Sequence, residues 1–191
     1  VKIYLKIIIE FLSAIPSVVL GFLGIVVLSN WVRITFSLSS GFTVLTGSIL
    51  VSLMALPTII SISDDAITAL PKEYKEASLA LGATKWETIK NVLVPAASSG
   101  IIAAVMLGIG RAIGETMTVM MVTGNAAQIP TSFLMSGRTM TATIAAEMGD
   151  TVRNGTHYHA LFAVGIVLLS MTTVINLIAD RVLTKAKKEG M

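Results

Sequence analysis

Four long apolar stretches organise this chain, at about residues 7–29, 41–62, 96–123 and 159–178. Between the second and third lies a polar, helix-favouring island, 63–95, and between the third and fourth a mixed segment, 124–158. A helix crosses the hydrocarbon core of a bilayer with about 20 mostly apolar residues. Backbone groups cannot stay unpaired in lipid, so each stretch is expected to be a helix rather than an open strand. The pattern predicts an all-α, polytopic bundle of about four crossings over a single domain, 1–191. Inside the island, Ser63-Asp64-Asp65 ends the second crossing and is expected to cap a short helix reaching Leu70, with Pro71 restarting the chain. Lys72 to Leu81 reads as a helix, with Gly82 in the left-handed position that closes it. Thr84-Lys85-Trp86-Glu87 has capping-box spacing, so a second helix begins at once and runs to Val94, with Pro95 just before the third crossing.

Composition narrows the class. With 54% hydrophobic and 13% charged residues and a mean hydropathy of +0.83, a soluble domain is excluded. The first apolar stretch carries Glu10 and Pro16 and lacks a basic start and small-residue cleavage site, so it is not a signal peptide. Pro16 is expected to kink it, with Ser13 and Ser17 satisfying the freed backbone groups. The absence of cysteine excludes disulfides and thiolate metal sites. His157 and His159 are two apart and would point to different helix faces, so no metal or other cofactor is expected. A net charge of +3 does not point to nucleic acid.

Charge placement orients the bundle. Lys2, Lys6, Lys72, Lys75, Lys85, Lys90, Arg181, Lys185, Lys187 and Lys188 lie on one side, against Arg33, Arg138 and Arg153 on the other. Ten basic residues against three place the island and both ends in the cytoplasm. An organised polar island of this length serves either to dock a partner, with Tyr74, Leu81 and Trp86 as anchors, or to lie on lipid headgroups.

The island, Glu76-Ala77-Ser78-Leu79-Ala80-Leu81-Gly82 to Val92-Leu93-Val94-Pro95, resembles the "EAA loop" of ABC importer permeases. That pattern is Glu-Ala-Ala, three residues, Gly, nine residues, then Ile-x-Leu-Pro. Ser78 replaces the second Ala, Val92 and Val94 replace Ile and Leu, and Gly82 and Pro95 fall at the expected spacing. The resemblance implies the type I (MetI-like) importer fold with a cytoplasmic helix–turn–helix coupling element. Glu76, Ala77, Ser78, Gly82 and Pro95 would then contact separate ATPase subunits, as a helix set into a groove. Such permeases have further spans upstream, so the chain is expected to represent the C-terminal two-thirds of one.

The third crossing holds Gly108-Ile109-Gly110-Arg111-Ala112-Ile113-Gly114-Glu115-Thr116-Met117. An ionised side chain at a bilayer centre costs on the order of 3 kcal/mol. Four apart on one helix face, Arg111 and Glu115 can neutralise each other, or either can face a water-filled path. The Arg-Ala-Ile-Gly-Glu-Thr-Met string resembles the phosphate-type, PstC-like branch of these permeases. Ser13-Ala14-Ile15-Pro16-Ser17, Gly124-Asn125 and Thr139-Met140-Thr141-Ala142 agree, whereas Ser136 stands before Gly137 in place of proline. The resemblance implies a substrate path through Arg111, Glu115 and Thr116, with Arg111 meeting inorganic phosphate and Glu115 orienting it or holding it between turnovers. It also implies three partners: ATPase subunits, a second permease subunit of the PstA kind, and an external phosphate-binding protein. Another oxyanion or a small polar solute is the alternative cargo. His-Glu-x-x-His, a cysteine nucleophile and a Gly-x-x-x-x-Gly-Lys-Ser/Thr loop are all absent, so an enzyme is not expected and energy must come from elsewhere.

The placement of the basic residues fixes which positions an external reagent reaches. With a membrane-impermeant thiol reagent added outside intact cells, a single cysteine at Arg153 is labelled and one at Lys85 is not. Labelling at position 85 overturns the orientation.

Overall fold

A computed structural model describes residues 2–189, apart from the side chains of residues 2, 3, 5, 10, 182, 183 and 185–189. Its elements are helices: α1 Lys2–Ala14, α2 Ser17–Thr35, α3 Val44–Thr68, α4 Lys72–Ala80, α5 Lys85–Ala96, α6 Ser98–Gly114, α7 Met117–Val122, α8 Met140–Glu147 and α9 Thr156–Glu189. Helices α2, α3 and α9 are each long and apolar enough to cross a membrane, and α5 with α6 forms a further pair bent by 72°.

Helix α3 is the axis on which the others are registered. It starts at an N-cap, Thr43, whose Oγ1 accepts from the Thr46 N–H at 3.2 Å. Two neighbours run along it. At one end Lys6 of α1 lies 3.8 Å from Asp65, and a β-carbon at Gly100 of α6 would collide with Ala66. Midway, Gly108 lies against Ile59, and the Thr118 hydroxyl meets Met54 Sδ at 3.4 Å. Toward the other end Gly24 of α2 packs on Leu50, and Gly47 on Thr123. The backbones of Gly41 and Ser29 close that end, where a side chain at 41 has no room. Small residues recur where helices approach closely, as expected where packing rather than hydrophobic burial holds helices together. Helix α9 packs on α6 and α8 and leaves most of its surface open.

This register corrects three expectations. The stretch 7–29 runs the length of α3 but as two helices, because Pro16 has no N–H to give and takes an extended backbone, φ −60°, ψ 140°. The stretch 96–123 also runs that length in two pieces, since Glu115 is extended at φ −66°, ψ 125°. Third, the helix expected to end near Ile62 continues to Thr68, passing through Ser63-Asp64-Asp65 with the Ala69 N–H still bonded to the Asp65 carbonyl at 2.9 Å. Those polar residues continue the helix and form the water-compatible end of α3.

The register is testable at one of its close-packed small residues. Gly108→Val drives a side chain into Ile59 and should cost about 1–3 kcal/mol, the range for overpacking. An added methyl at Gly110 meets nothing among the described residues, so Gly110→Ala should leave stability unchanged or slightly raised. Thermal unfolding of the detergent-solubilised protein distinguishes them, and equal losses in both overturn the register.

Candidate functional site

The 72–96 hairpin is set by local chemistry. Helix α4 ends in a Schellman arrangement: the Ala83 N–H reaches the Ser78 carbonyl at 3.3 Å and the Gly82 N–H reaches Leu79 at 3.0 Å. Gly82 sits at φ +87°, where a β-carbon would meet no atom. Glycine is needed there for its backbone conformation, not for space. Thr84 and Glu87 form the expected capping box, with Glu87 Oε2 accepting from the Thr84 N–H at 2.8 Å and from its hydroxyl at 2.7 Å. These bonds, the backbone one first, hold the Glu87 carboxyl below the usual range. Ser78, which stands where the EAA pattern has alanine, bonds the Thr88 hydroxyl at 3.0 Å and ties the two helices together. Pro95 has no N–H for the Asn91 carbonyl, and the turn before it, Ile89–Leu93, widens to a π-turn. Glu76, Ala77 and Pro95 lie on the surface. Leu81 is 89% and Trp86 71% exposed, and Tyr74 is half exposed. Three large apolar side chains project from one short hairpin into space this chain does not fill.

The second feature lies midway along α3. Two crossings are interrupted at one level, at Ile15–Pro16 and at Glu115–Thr116, and the Thr118 hydroxyl donates to the Ser17 carbonyl at 2.9 Å to join the breaks. The groups that the second break exposes are satisfied one by one. Glu115 Oε1 accepts from the Thr118 N–H at 3.1 Å, the Thr116 hydroxyl donates to Gly114 O at 3.1 Å, and the Thr141 hydroxyl of α8 donates to Glu115 O at 3.0 Å. Of the two arrangements the sequence left open, the helical Arg111–Glu115 pair is not the one observed among the described residues. Glu115 has left the helix, and no ion pair joins it to Arg111 among the described residues. Arg111 instead donates from Nη1 to the Thr58 hydroxyl at 3.2 Å. It borders a cavity of about 290 Å³ with Ser13, Pro57, Thr58 and Ser61. The side chain of Glu10 lies outside the described residues. Thr58 and Ser61 escaped the sequence reading because hydroxyls in apolar helices usually bond back to their own backbone; only their neighbourhood to Pro57 hinted otherwise.

The outer segment is ordered around Ser136. Its hydroxyl donates to Thr123 O at 2.8 Å and accepts from the Ala126 N–H at 3.4 Å, so a hydroxyl closes the turn where proline was expected. Arg138 donates to Asn125 O at 3.0 Å and pairs with Glu147, whose other oxygen lies 2.9 Å from His157 Nε2. This arginine is engaged within its own loop, although it borders a second cavity of about 420 Å³.

Broken helical crossings around a polar cavity, with a polar hairpin at one end, define an integral membrane protein of the solute-handling class. The chain belongs to the family described as the binding-protein-dependent transport system inner membrane component, which matches residues 1–188. It is 46% identical over 165 residues to the probable ABC transporter permease protein YqgH of Bacillus subtilis, covering 86% of this chain and 53% of that protein. It is 30% identical over 203 residues to the phosphate transport system permease protein PstC of Haemophilus influenzae, covering 96% of this chain and 64% of that one. The chain thus spans between half and two-thirds of the length of these relatives. Among solved structures, the inward-facing MetNI methionine ABC transporter shares the fold, with a TM-score of 0.73 over 97% of this chain and 75% of that one, at 19% identity.

The capping box generates a pH prediction. Because the folded Glu87 carboxyl titrates below its unfolded value, its contribution is complete above the ordinary carboxylate range and fades as pH falls through the lowered value. Hydrogen-exchange protection of the amides at 84–88 should fall on acidification, and Glu87→Gln should flatten that dependence. An unchanged dependence in Glu87→Gln contradicts the assignment.

Proposed function

We propose that this chain is the greater part of a permease subunit of an ATP-driven importer and that its path carries inorganic phosphate. Arg111 carries the reading: it is a cation at the level of two broken crossings, bordering a polar cavity, with a neutral hydroxyl as its described partner. An arginine facing lipid at that depth is unfavourable by several kcal/mol, so its face belongs against water and a second permease subunit. A compensated but unsaturated cation also suits transport, since a tight anion site would not release its cargo. The hairpin 72–96 would face the cytoplasm and insert Leu81 and Trp86 into the ATPase subunits, with Glu76, Ala77, Ser78, Gly82 and Pro95 shaping the contact. An external binding protein would deliver the anion to the side bearing Arg138. ATP-driven closure of the ATPases would move the hairpin and, through α5 and α6, the level of Arg111.

The PstC relatives, at 30–34% identity, support phosphate. The 46% identical relative is named only as a probable ABC permease, which favours a second reading in which the same site carries another oxyanion or a small polar solute. Glu115 and Thr116 retain a place in the path through the break they stabilise, and Glu115 is the nearest carboxylate along the chain able to attract Arg111 between turnovers.

Arg111→Gln should lower phosphate uptake by the assembled importer at least about tenfold, the loss of a charged hydrogen-bond donor, with assembly retained. Glu115→Gln keeps an oxygen for the Thr118 N–H, so it should assemble normally. Full uptake in the double variant Arg111→Gln, Glu115→Gln overturns the pathway role.

A further inference from the structure

Hydroxyls on the apolar helices of this protein follow a local habit. Ser48 and Ser52 of α3 donate to the carbonyls four residues back at 2.8 and 2.7 Å, and Thr123, Ser170 and Thr173 do the same at 2.8 Å. The habit removes a polar group from consideration, because its donor is satisfied inside its own helix. On α3 the Thr46 hydroxyl donates to Gly41 O instead, and Thr58, Ser61, Ser63 and Thr68 make no such bond among the described residues; of these four only Thr58 and Ser61 reach the cavity beside Arg111. Thr58 accepts from Arg111, which leaves its own hydrogen with no acceptor among the described residues, and Ser61 has no hydrogen-bond partner among them. Both are half-buried and both line the 290 Å³ cavity that Arg111 borders. Both hydroxyls therefore keep hydrogen-bonding capacity that water or a solute in the cavity can meet.

We infer that Thr58 and Ser61 are the anion-coordinating hydroxyls of the path, forming with Arg111 a cradle for a tetrahedral oxyanion; the inference rests on the reading of Arg111 given above. The geometry has a direction. Arg111 donates to the Thr58 oxygen, and a cationic donor there polarises the O–H and strengthens it as a donor toward the cavity. Ser61, three residues on, lies on the same face of α3 and adds a second hydroxyl. Hydroxyls both donate and accept, so the pair can donate to an ionised oxygen or accept from a protonated one, whereas the guanidinium only donates. Neutral donors held beside one charge bind an anion without trapping it. The cavity leaves room for water beside the anion, consistent with passage rather than storage.

The test uses uptake per assembled complex in the full importer, with radiolabelled phosphate as the first probe and sulfate and molybdate as the others. Thr58→Val and Ser61→Ala should each lower uptake about tenfold, the change that about 1.4 kcal/mol produces for a hydrogen bond to a charged group. Thr58→Ser and Ser61→Thr, which keep the hydroxyl, should restore it to within about twofold. Independently, Ser61→Cys should react with a small thiol reagent, and the transported anion should slow that reaction. Undiminished uptake in Thr58→Val and Ser61→Ala overturns the cradle, as does a loss that the hydroxyl-retaining variants fail to restore or an absence of protection at position 61. A wild-type importer that moves sulfate or molybdate in place of phosphate overturns the phosphate reading alone, and the four variants then carry the same expectations for that anion. Movement of none of the three overturns both.

Discussion

The hydrogen bond from the Thr118 hydroxyl to the Ser17 carbonyl joins two interrupted helices in the middle of the bundle. An unpaired backbone group in lipid costs several kcal/mol, so a crossing can be broken only where side chains take up the exposed donors and acceptors. Here Glu115, Thr116, Thr118 and Thr141 do so. The consequence reaches beyond the break: with Glu115 turned to the start of α7, it makes no ion pair with Arg111 among the described residues, and the guanidinium's described partner is a threonine. A single backbone requirement therefore decides both how the chain crosses and where its exposed cation lies.

The hairpin is built on the opposite principle. Its shape depends almost wholly on neighbours in sequence: the Gly82 elbow, the Thr84–Glu87 box and the Ser78–Thr88 bond, the longest of these in sequence. Such an element keeps its form while its large apolar side chains stay exposed, which is what the proposed docking role asks of it. It reaches the interior rigidly, through α5 and the 72° bend into α6, the helix that carries Arg111. Locally specified shape at one end and tertiary satisfaction at the other are linked by one helix pair.

The sequence by itself determined the elements whose physics is local or periodic. Apolar runs of membrane length made the bundle helical, proline at 16 marked a break, and capping-box spacing with a glycine placed the hairpin to within a residue or two. Arg111 was also legible, because a charge in an apolar run is conspicuous wherever it points. Only the tertiary structure decided what depends on meetings between distant segments. The spacing of Arg111 and Glu115 allowed a helical pair or a side chain facing a path, but Glu115 is drawn out of the helix by the packing of α7 on α2 and by Thr141 from α8. Nothing local to Ser63–Asp65 shows that α3 continues past them, since α3 is extended there by its own ladder and by Lys6 from α1. Thr58 and Ser61 read in sequence as ordinary hydroxyls of an apolar helix. They become candidate ligands only because a helix some fifty residues further on sets a guanidinium beside them, and periodicity along one helix carries no information about which face another will cover.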